Sequence, residues 1–255
     1  MSTGESFIAH LVELRRRLVN AVVAVLVVFV CLFPWASNLY TLLARPLLSK
    51  LPKGGQMIAT DVTTPFFVPL KVALMAAFLI TLPYILYQAW RFVAPGLYEH
   101  EKRLVWPLII SSTILFFCGM AFAYFLVFPI VFGFITASAP LGVAVMTDID
   151  KYLSFVLTMF MAFGLTFQVP VAVVLLVRMG FVTVKKLREI RPYMVVGAFV
   201  IGAIFTPPDV VSQSMLALPL WLLYEVGILV SVWVGRKKPE QKSPGEEASE
   251  EDTKG

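Results

Sequence analysis

The side chains equipped for chemistry here are few: a handful of carboxylates and arginines, and the glutamine Gln168, set among long apolar runs. The densest group is APGLYEHEKR, residues 94–103, where Glu99 and Glu101 precede Lys102 and Arg103. Carboxylates in such a loop could grip guanidinium groups through parallel charge-assisted hydrogen bonds, each worth about 1.5–3 kcal/mol. Pro95 and Gly96 would fix the loop's shape, and Phe92, Leu97 and Tyr98 would give it apolar walls. The plainer account is that the acids neutralise Lys102 and Arg103, a solvated surface of weak pairs. Composition leaves the two accounts level.

HLVELRRRL, residues 10–18, places Leu11, Leu14 and Leu18 at spacings of three and four, the pattern of an amphipathic helix. Glu13 and Arg17 stand four apart and can pair on one face, with Arg15 and Arg16 beside them. The segment reads either as a basic cluster that sets membrane topology or as a helix whose Glu13 faces the 94–103 loop. Gln168 lies deep in another apolar run, two residues before Pro170. Polar groups at that depth face a bundle's interior, so a glutamine there most commonly bridges helices. It could also satisfy backbone groups that Pro170 frees, and it cannot titrate. Asp209 closes TPPD between Thr206 and Gln213, and reads first as a turn and helix N-cap residue.

The elements that must position these groups are membrane helices. Of 255 residues, 59% are hydrophobic and only 15% charged, with a mean hydropathy of +0.84. The apolar blocks are near the length that crosses about 30 Å of hydrocarbon. Six spans are expected, at 18–35, 68–89, 104–135, 152–177, 193–205 and 212–234. A Pro-, Ser- and Glu-rich tail, 236–255, is expected to be disordered. Sixteen of the 21 basic residues fall on one side of this arrangement, which places both termini in the cytoplasm. The last two spans form a short hairpin: the 14 residues between Pro192 and Pro207 make about 21 Å of helix. The first outer loop, about 32 residues, is expected to hold short interfacial helices punctuated by Pro46, Pro65 and Pro69. Lys71 and Lys151 stand at helix starts, where they can snorkel.

Cys31 and Cys118 lie inside apolar runs, and His10 and His100 are too scattered for a metal centre. No nucleophile–base set or phosphate-binding loop is present, so neither an enzyme nor a cofactor is expected, and nothing suggests a nucleic-acid partner. A small-solute secondary transporter is the main alternative function. Such proteins typically show repeated halves with matching broken helices, and spans one to three do not visibly resemble four to six. A membrane scaffold is the third reading, although a scaffold has no need of the carboxylates.

HLVELRRRL, MIATDVTTPFF, FVAPGLYEHEKR, GMAFAYF, TFQVPVAVVLL, IRPYMVVGAFVIGAIFTPPD and SQSMLALPLWLLYE occur in that order. Together they closely resemble the TatC family, the multispanning receptors of twin-arginine protein translocation, from about residue 7 to 235. The resemblance implies an all-α integral membrane protein of six helices in a concave bundle, with both termini cytoplasmic, in the bacterial inner membrane. It implies recognition of twin-arginine signal peptides on folded precursors, TatB and TatA family partners, and transport driven by the proton-motive force. Membrane lipids and other copies of the chain are further contacts to consider. Carried onto matching positions, Glu101 is the principal contact for the arginine pair, with Phe92 and Leu97 on the same surface and Glu13 and Arg15 completing it. Pro46 and Phe66 match positions sensitive in assembly or transport, and Thr206, Asp209 and Gln213 a docking region for partner helices. Many members have glutamate where this chain has Gln168, so a hydrogen-bonding group there must suffice without charge.

Overall fold

A computed structural model describes residues 3–48, 57–93, 105–137, 147–206 and 209–235. The loop 94–104 and the tail, with Leu97, Glu99 and Glu101, lie outside the described residues. Ten α-helices are described: α1 Thr3–Leu32, α2 Ala36–Leu48, α3 Thr64–Val93, α4 Val105–Phe122, α5 Phe128–Ala137, α6 Ile149–Thr166, α7 Val169–Arg178, α8 Val184–Glu189, α9 Arg191–Phe205 and α10 Val210–Gly235. Several are halves of one longer rod. Five rods are long and apolar enough to cross a membrane, at Leu11–Leu43, Thr64–Phe92, Trp106–Phe134, Ile149–Arg178 and Val210–Trp233. Arg191–Phe205 is apolar but shorter.

Each break in a rod has a local cause. Pro34 sits in a single 3-10 turn, Phe33–Trp35, that joins α1 to α2. The chain therefore stays helical to Leu48, where the sequence suggested an early end to the span and separate interfacial helices. Pro65 likewise stands in the first turn of α3, where its missing N–H costs nothing, and Pro69 and Pro83 lie inside that helix. A π-helical turn, Ala123–Val127, joins α4 to α5. Pro129 follows directly and cannot return a hydrogen bond to Phe125, so the chain widens there. Between α6 and α7 the Gln168 N–H bonds the Leu165 carbonyl at 2.9 Å in a tightened turn. Pro170 then stands in the first turn of α7, unable to bond back to Thr166.

The core lies where the second half of the chain closes on α4. Val127, Phe128 and Val131 meet Val156, Met159, Phe160 and Phe163, with Leu216 of α10 beneath. Two close approaches set the α4–α6 spacing. A Cβ on Gly119 would lie 2.5 Å from the Phe163 carbonyl oxygen, and one on Gly164 would lie 2.5 Å from Cζ of the Phe116 ring. Val68, Val72 and Leu153, joined by Leu39 and Leu43, bind α2 and α3 to α6. By contrast α1 is peripheral. It rests on α3, and only 6% of its most apolar window is buried inside the protein.

Ahead of α3 and α6 lies one extended element that the sequence did not announce. Met57–Ile58 (β1) and Thr147–Asp148 (β2) pair in parallel, with Met57 opposite Thr147. Asp148 then caps α6, accepting from the Asp150 and Lys151 amides at 2.9 and 3.0 Å. The same carboxylate accepts from the Thr60 amide at 3.2 Å and from the Thr60 hydroxyl. These donors, the Thr60 hydroxyl first, pull its pKa from 3.8 to about 2. One side chain thus ties the α6 start to the segment before α3.

Candidate functional site

α3 is the axis on which the polar groups are arranged. At its C-terminal end, one helical turn before the 94–104 loop, Gln88 and Arg91 meet Glu13, Arg16, Arg17 and Asn20 of α1 around a recess of about 230 Å³. The i,i+4 pair expected from the sequence is present: Arg17 Nε donates to Glu13 Oε1 at 3.0 Å, and its Nη2 also donates there. Arg17 is the more enclosed partner, its side chain 16% exposed against 37% for Glu13. Arg15 lies on the exposed face of α1. Arg91 is steered by Tyr87, whose hydroxyl accepts from Nη1 at 2.8 Å and whose ring lies under the guanidinium. Gln88 donates to Tyr84 Oη at 2.6 Å. Phe92, partly buried, follows at the brink of the loop.

The charge count of this recess matters. Among the described residues three guanidiniums surround one carboxylate, and Glu13 is already engaged by Arg17. A second pair of cations gains nothing from such a site unless more negative charge arrives, since like charges at close range repel. The nearest further carboxylates along the chain are Glu5, ahead of Glu13, and Glu99 and Glu101, which follow Arg91.

Within the same turn of α3, at Trp90, a polar string crosses three helices. Trp90 Nε1 donates to Ser112 Oγ at 3.2 Å, and Gln168 Nε2 donates to the Ser112 carbonyl at 2.9 Å. Ser112 is fully buried. Gln168 therefore bridges helices, as its depth in the span suggested, and its amide reaches α4 rather than the groups freed by Pro170. Its Oε1 is buried without a hydrogen-bond partner among the described residues. Towards the opposite end of α3 an apolar groove of about 310 Å³ opens between α2, α3, α4 and α6, walled by Leu43, Met75, Leu79, Met120, Tyr124 and Leu157. Methionines there let the groove adapt to an apolar occupant. From Gln88 to Met75 is about 20 Å along the axis.

The remaining site residues fall elsewhere. Thr206, Asp209 and Gln213 are brought together in the α9–α10 hairpin. Asp209 Oδ1 accepts from the Ser212 amide at 2.7 Å, as an N-cap should. Gln213 Nε2 crosses to the Phe199 carbonyl at 2.9 Å, and the Thr206 hydroxyl returns to the Gly202 carbonyl at 2.9 Å. A Cβ on Gly202 would come within 3.0 Å of Gln213, so the hairpin closes on a bare glycine. Phe66 is 61% exposed near the α3 start and meets Phe67 edge to face. Pro46 lies within α2. Phe66 is not among the residues that line the recess.

Several contributors were not singled out beforehand. Asn20, Gln88 and Arg91 line the recess, and Trp90 and Ser112 complete the string. A Gln and an Arg at the polar end of an apolar helix were visible, but nothing in their spacing says which neighbour they face. Lys71, expected to snorkel, instead pairs with Asp150 at 2.5 Å and reaches Ser154 Oγ at 3.4 Å.

Comparison with known proteins gives a consistent picture. The model of the family described as Sec-independent protein translocase protein (TatC) matches residues 9–219. The TatC proteins of Escherichia coli K12 and Haemophilus influenzae are 53% and 51% identical to this chain. Those matches cover 92% and 97% of this chain, and 93% and 96% of the relatives. A crystal structure described as the twin-arginine translocase receptor TatC superposes with a TM-score of 0.77 at 40% identity, covering 88% of this chain and 98% of that one. A second, in the detergent DDM, gives 0.79 at 39% identity, covering 87% and 99%.

Proposed function

The chain belongs to the TatC family of Sec-independent protein translocase proteins, and from that premise we propose that it is the receptor core of a twin-arginine translocase in the bacterial inner membrane. Both termini face the cytoplasm in this reading. The arginine pair of a signal peptide is held by Glu101 with Glu13, beside Arg15, Phe92 and Leu97. Its apolar stretch follows α3 past Gln168 toward the groove at Met75 and Met120. TatB and TatA family helices dock on the hairpin bearing Thr206, Asp209 and Gln213, with Pro46 and Phe66 also serving assembly, and the proton-motive force drives transport.

The observation that carries the reading is the likeness over 88% of the chain to a solved twin-arginine translocase receptor. The recess adds a physical requirement. With three arginines against Glu13, the loop carboxylates must supply the charge that makes a dication welcome. Glu101 is therefore the dominant contact. Glu13, already paired with Arg17, would divide its charge between two guanidiniums and contributes less.

Site-specific crosslinking of a twin-arginine precursor to the membrane-embedded protein tests this. Glu101→Gln should weaken capture by at least about tenfold, from the loss of a charge-assisted bond of about 1.5–3 kcal/mol, and Glu13→Gln by less. A Lys-Lys precursor should be captured less well than Arg-Arg by the wild type. Equal capture by Glu101→Gln and wild type would remove the proposed site.

A further inference from the structure

A second site lies at the other end of α7, away from the recess. The groove there has a volume of about 720 Å³ and lies between α7, α8 and the end of α10. Val177, Val184 and Val232 line it with apolar surface, beside Ser231, and Lys185, Arg188 and Glu189 add charge. The Ser231 hydroxyl is already satisfied by the Gly227 carbonyl at 2.8 Å.

The depth of this groove is fixed by the two spans that border it. One apolar span ends at Arg178 and the other at Trp233, and Val177 and Val232, one residue before each end, both line the groove. It therefore straddles the boundary between hydrocarbon and headgroups. Phe181, 70% exposed after the turn at Gly180, and Trp233, 68% exposed, are the kind of ring found at that level.

The charge is also sorted. Lys186 pairs with Glu189 at 3.6 Å, and Arg191 with Glu225 at 2.6 Å. Lys185 and Arg188 have no carboxylate partner among the described residues, and their spacing of three puts both on one side of α8. That helix is held firmly. Thr183 caps it through the Lys186 amide at 3.2 Å, Leu187 is buried, and Tyr224 Oη donates to the Leu187 carbonyl at 2.8 Å.

We infer that this groove binds an anionic glycerophospholipid, its phosphate between Lys185 and Arg188 and the first acyl carbons on Val177, Val184 and Val232. Two cations without a carboxylate partner among the described residues, above an apolar floor at the hydrocarbon boundary, match the charge and the amphiphilic shape of such a lipid. A soluble anion would use the cations alone, and a neutral lipid the floor alone. The site owes nothing to signal-peptide recognition, so its success or failure is independent of the function proposed above.

The test is native mass spectrometry of the full chain in neutral detergent, titrated with dioctanoyl phosphatidylglycerol, dioctanoyl phosphatidylcholine or inorganic phosphate. Phosphatidylglycerol should be retained in preference to phosphatidylcholine, and excess inorganic phosphate should not displace it. K185Q and R188Q should each weaken retention about fivefold and the double variant about 25-fold, from the contribution of each basic residue at an anionic surface. K186Q, which removes a paired cation, should change it little. The single variants decide the matter if the double variant does not fold. Equal retention of the two lipids, displacement by phosphate, wild-type retention in both single variants, or a K186Q loss as large as theirs would each overturn the proposal. A protein partner on the groove would show as phosphatidylglycerol retention untouched by these substitutions.

Discussion

Gly119→Ala asks whether the spacing between α4 and α6 holds the polar string together. The added methyl would start 2.5 Å from the Phe163 carbonyl oxygen, 2.9 Å from its carbon and 3.0 Å from a Phe167 ring atom. Two of the three obstacles are backbone, which cannot rotate aside, so the helices must separate by roughly half an ångström or more, an overpacking cost of about 1–3 kcal/mol. Helix propensity pulls the other way by up to about 1 kcal/mol, since alanine outranks glycine in a helix interior. Gly197→Ala isolates that term, because a Cβ there meets nothing within 4 Å. Unfolding of the purified protein in mixed micelles, followed by circular dichroism as denaturing detergent rises, should show Gly119→Ala less stable than wild type and Gly197→Ala unchanged or slightly more stable. The separation also draws Ser112 of α4 away from Gln168, so signal-peptide crosslinking should fall with stability. If Gly119→Ala matched or exceeded Gly197→Ala in stability, the close approach would not be what sets the helix spacing.

Asp148 supplies a pH-dependent prediction. Its pKa is lowered from 3.8 to about 2 by hydrogen bonds that require the carboxylate. A group with a depressed folded pKa contributes stability that is complete above its unfolded value and lost as pH falls through the folded one. The difference in unfolding midpoint between wild type and Asp148→Ala should therefore be full above about pH 4 and vanish toward pH 2; a constant difference would place the stabilisation elsewhere. Gln168→Leu removes one interhelical hydrogen bond and should cost about 0.6 kcal/mol, at most about 1.7, without straightening a break that Pro170 causes. Gln168→Glu can donate to the Ser112 carbonyl only when protonated, so its midpoint relative to wild type should decline as pH rises. A flat profile would show that the donor at 168 is dispensable.

The class of fold was legible because apolar length is a one-dimensional property: 20-residue runs either cross a bilayer or they do not. The breaks were partly legible. Pro170 marked the α6–α7 interruption, whereas Pro69 and Pro83 sit inside an unbroken α3, because helix neighbours in a bundle can make good the bonds that proline forfeits. The α1–α2 rod was missed for a related reason. Pro34 at the start of a helical turn costs little, so a residue that looks like a terminator was only a joint. Of the site, Glu13 with Arg17 followed from spacing of four, and Asp209 from its place after two prolines. What spacing could not give was the partner across a helix pair. Gln88 beside Glu13, Ser112 beneath Gln168 and Asp150 against Lys71 are separated by 56 to 79 residues, and no local periodicity encodes which faces meet.

The sequential order of features along α3 suggests why this protein uses so many broken helices. A charged recess and a hydrogen-bonded string near one end, and an apolar groove about 20 Å along the axis, form a gradient from charged to apolar surface. A signal peptide carries the same gradient, arginines first and an apolar stretch behind. Straight helices of uniform apolarity would satisfy the bilayer but present lipid-like surface throughout. The turns at Gln168 and Ala123–Val127 interrupt two rods, and at the first of them the Gln168 amide reaches across to the Ser112 carbonyl. In this chain the interruption at Gln168 is stabilised without charge: a neutral amide donates across to α4 and leaves one acceptor buried with no partner among the described residues. That free acceptor fits a donor arriving from an inserted segment better than it fits another anion, which is the physical sense in which an amide can stand where a carboxylate is expected.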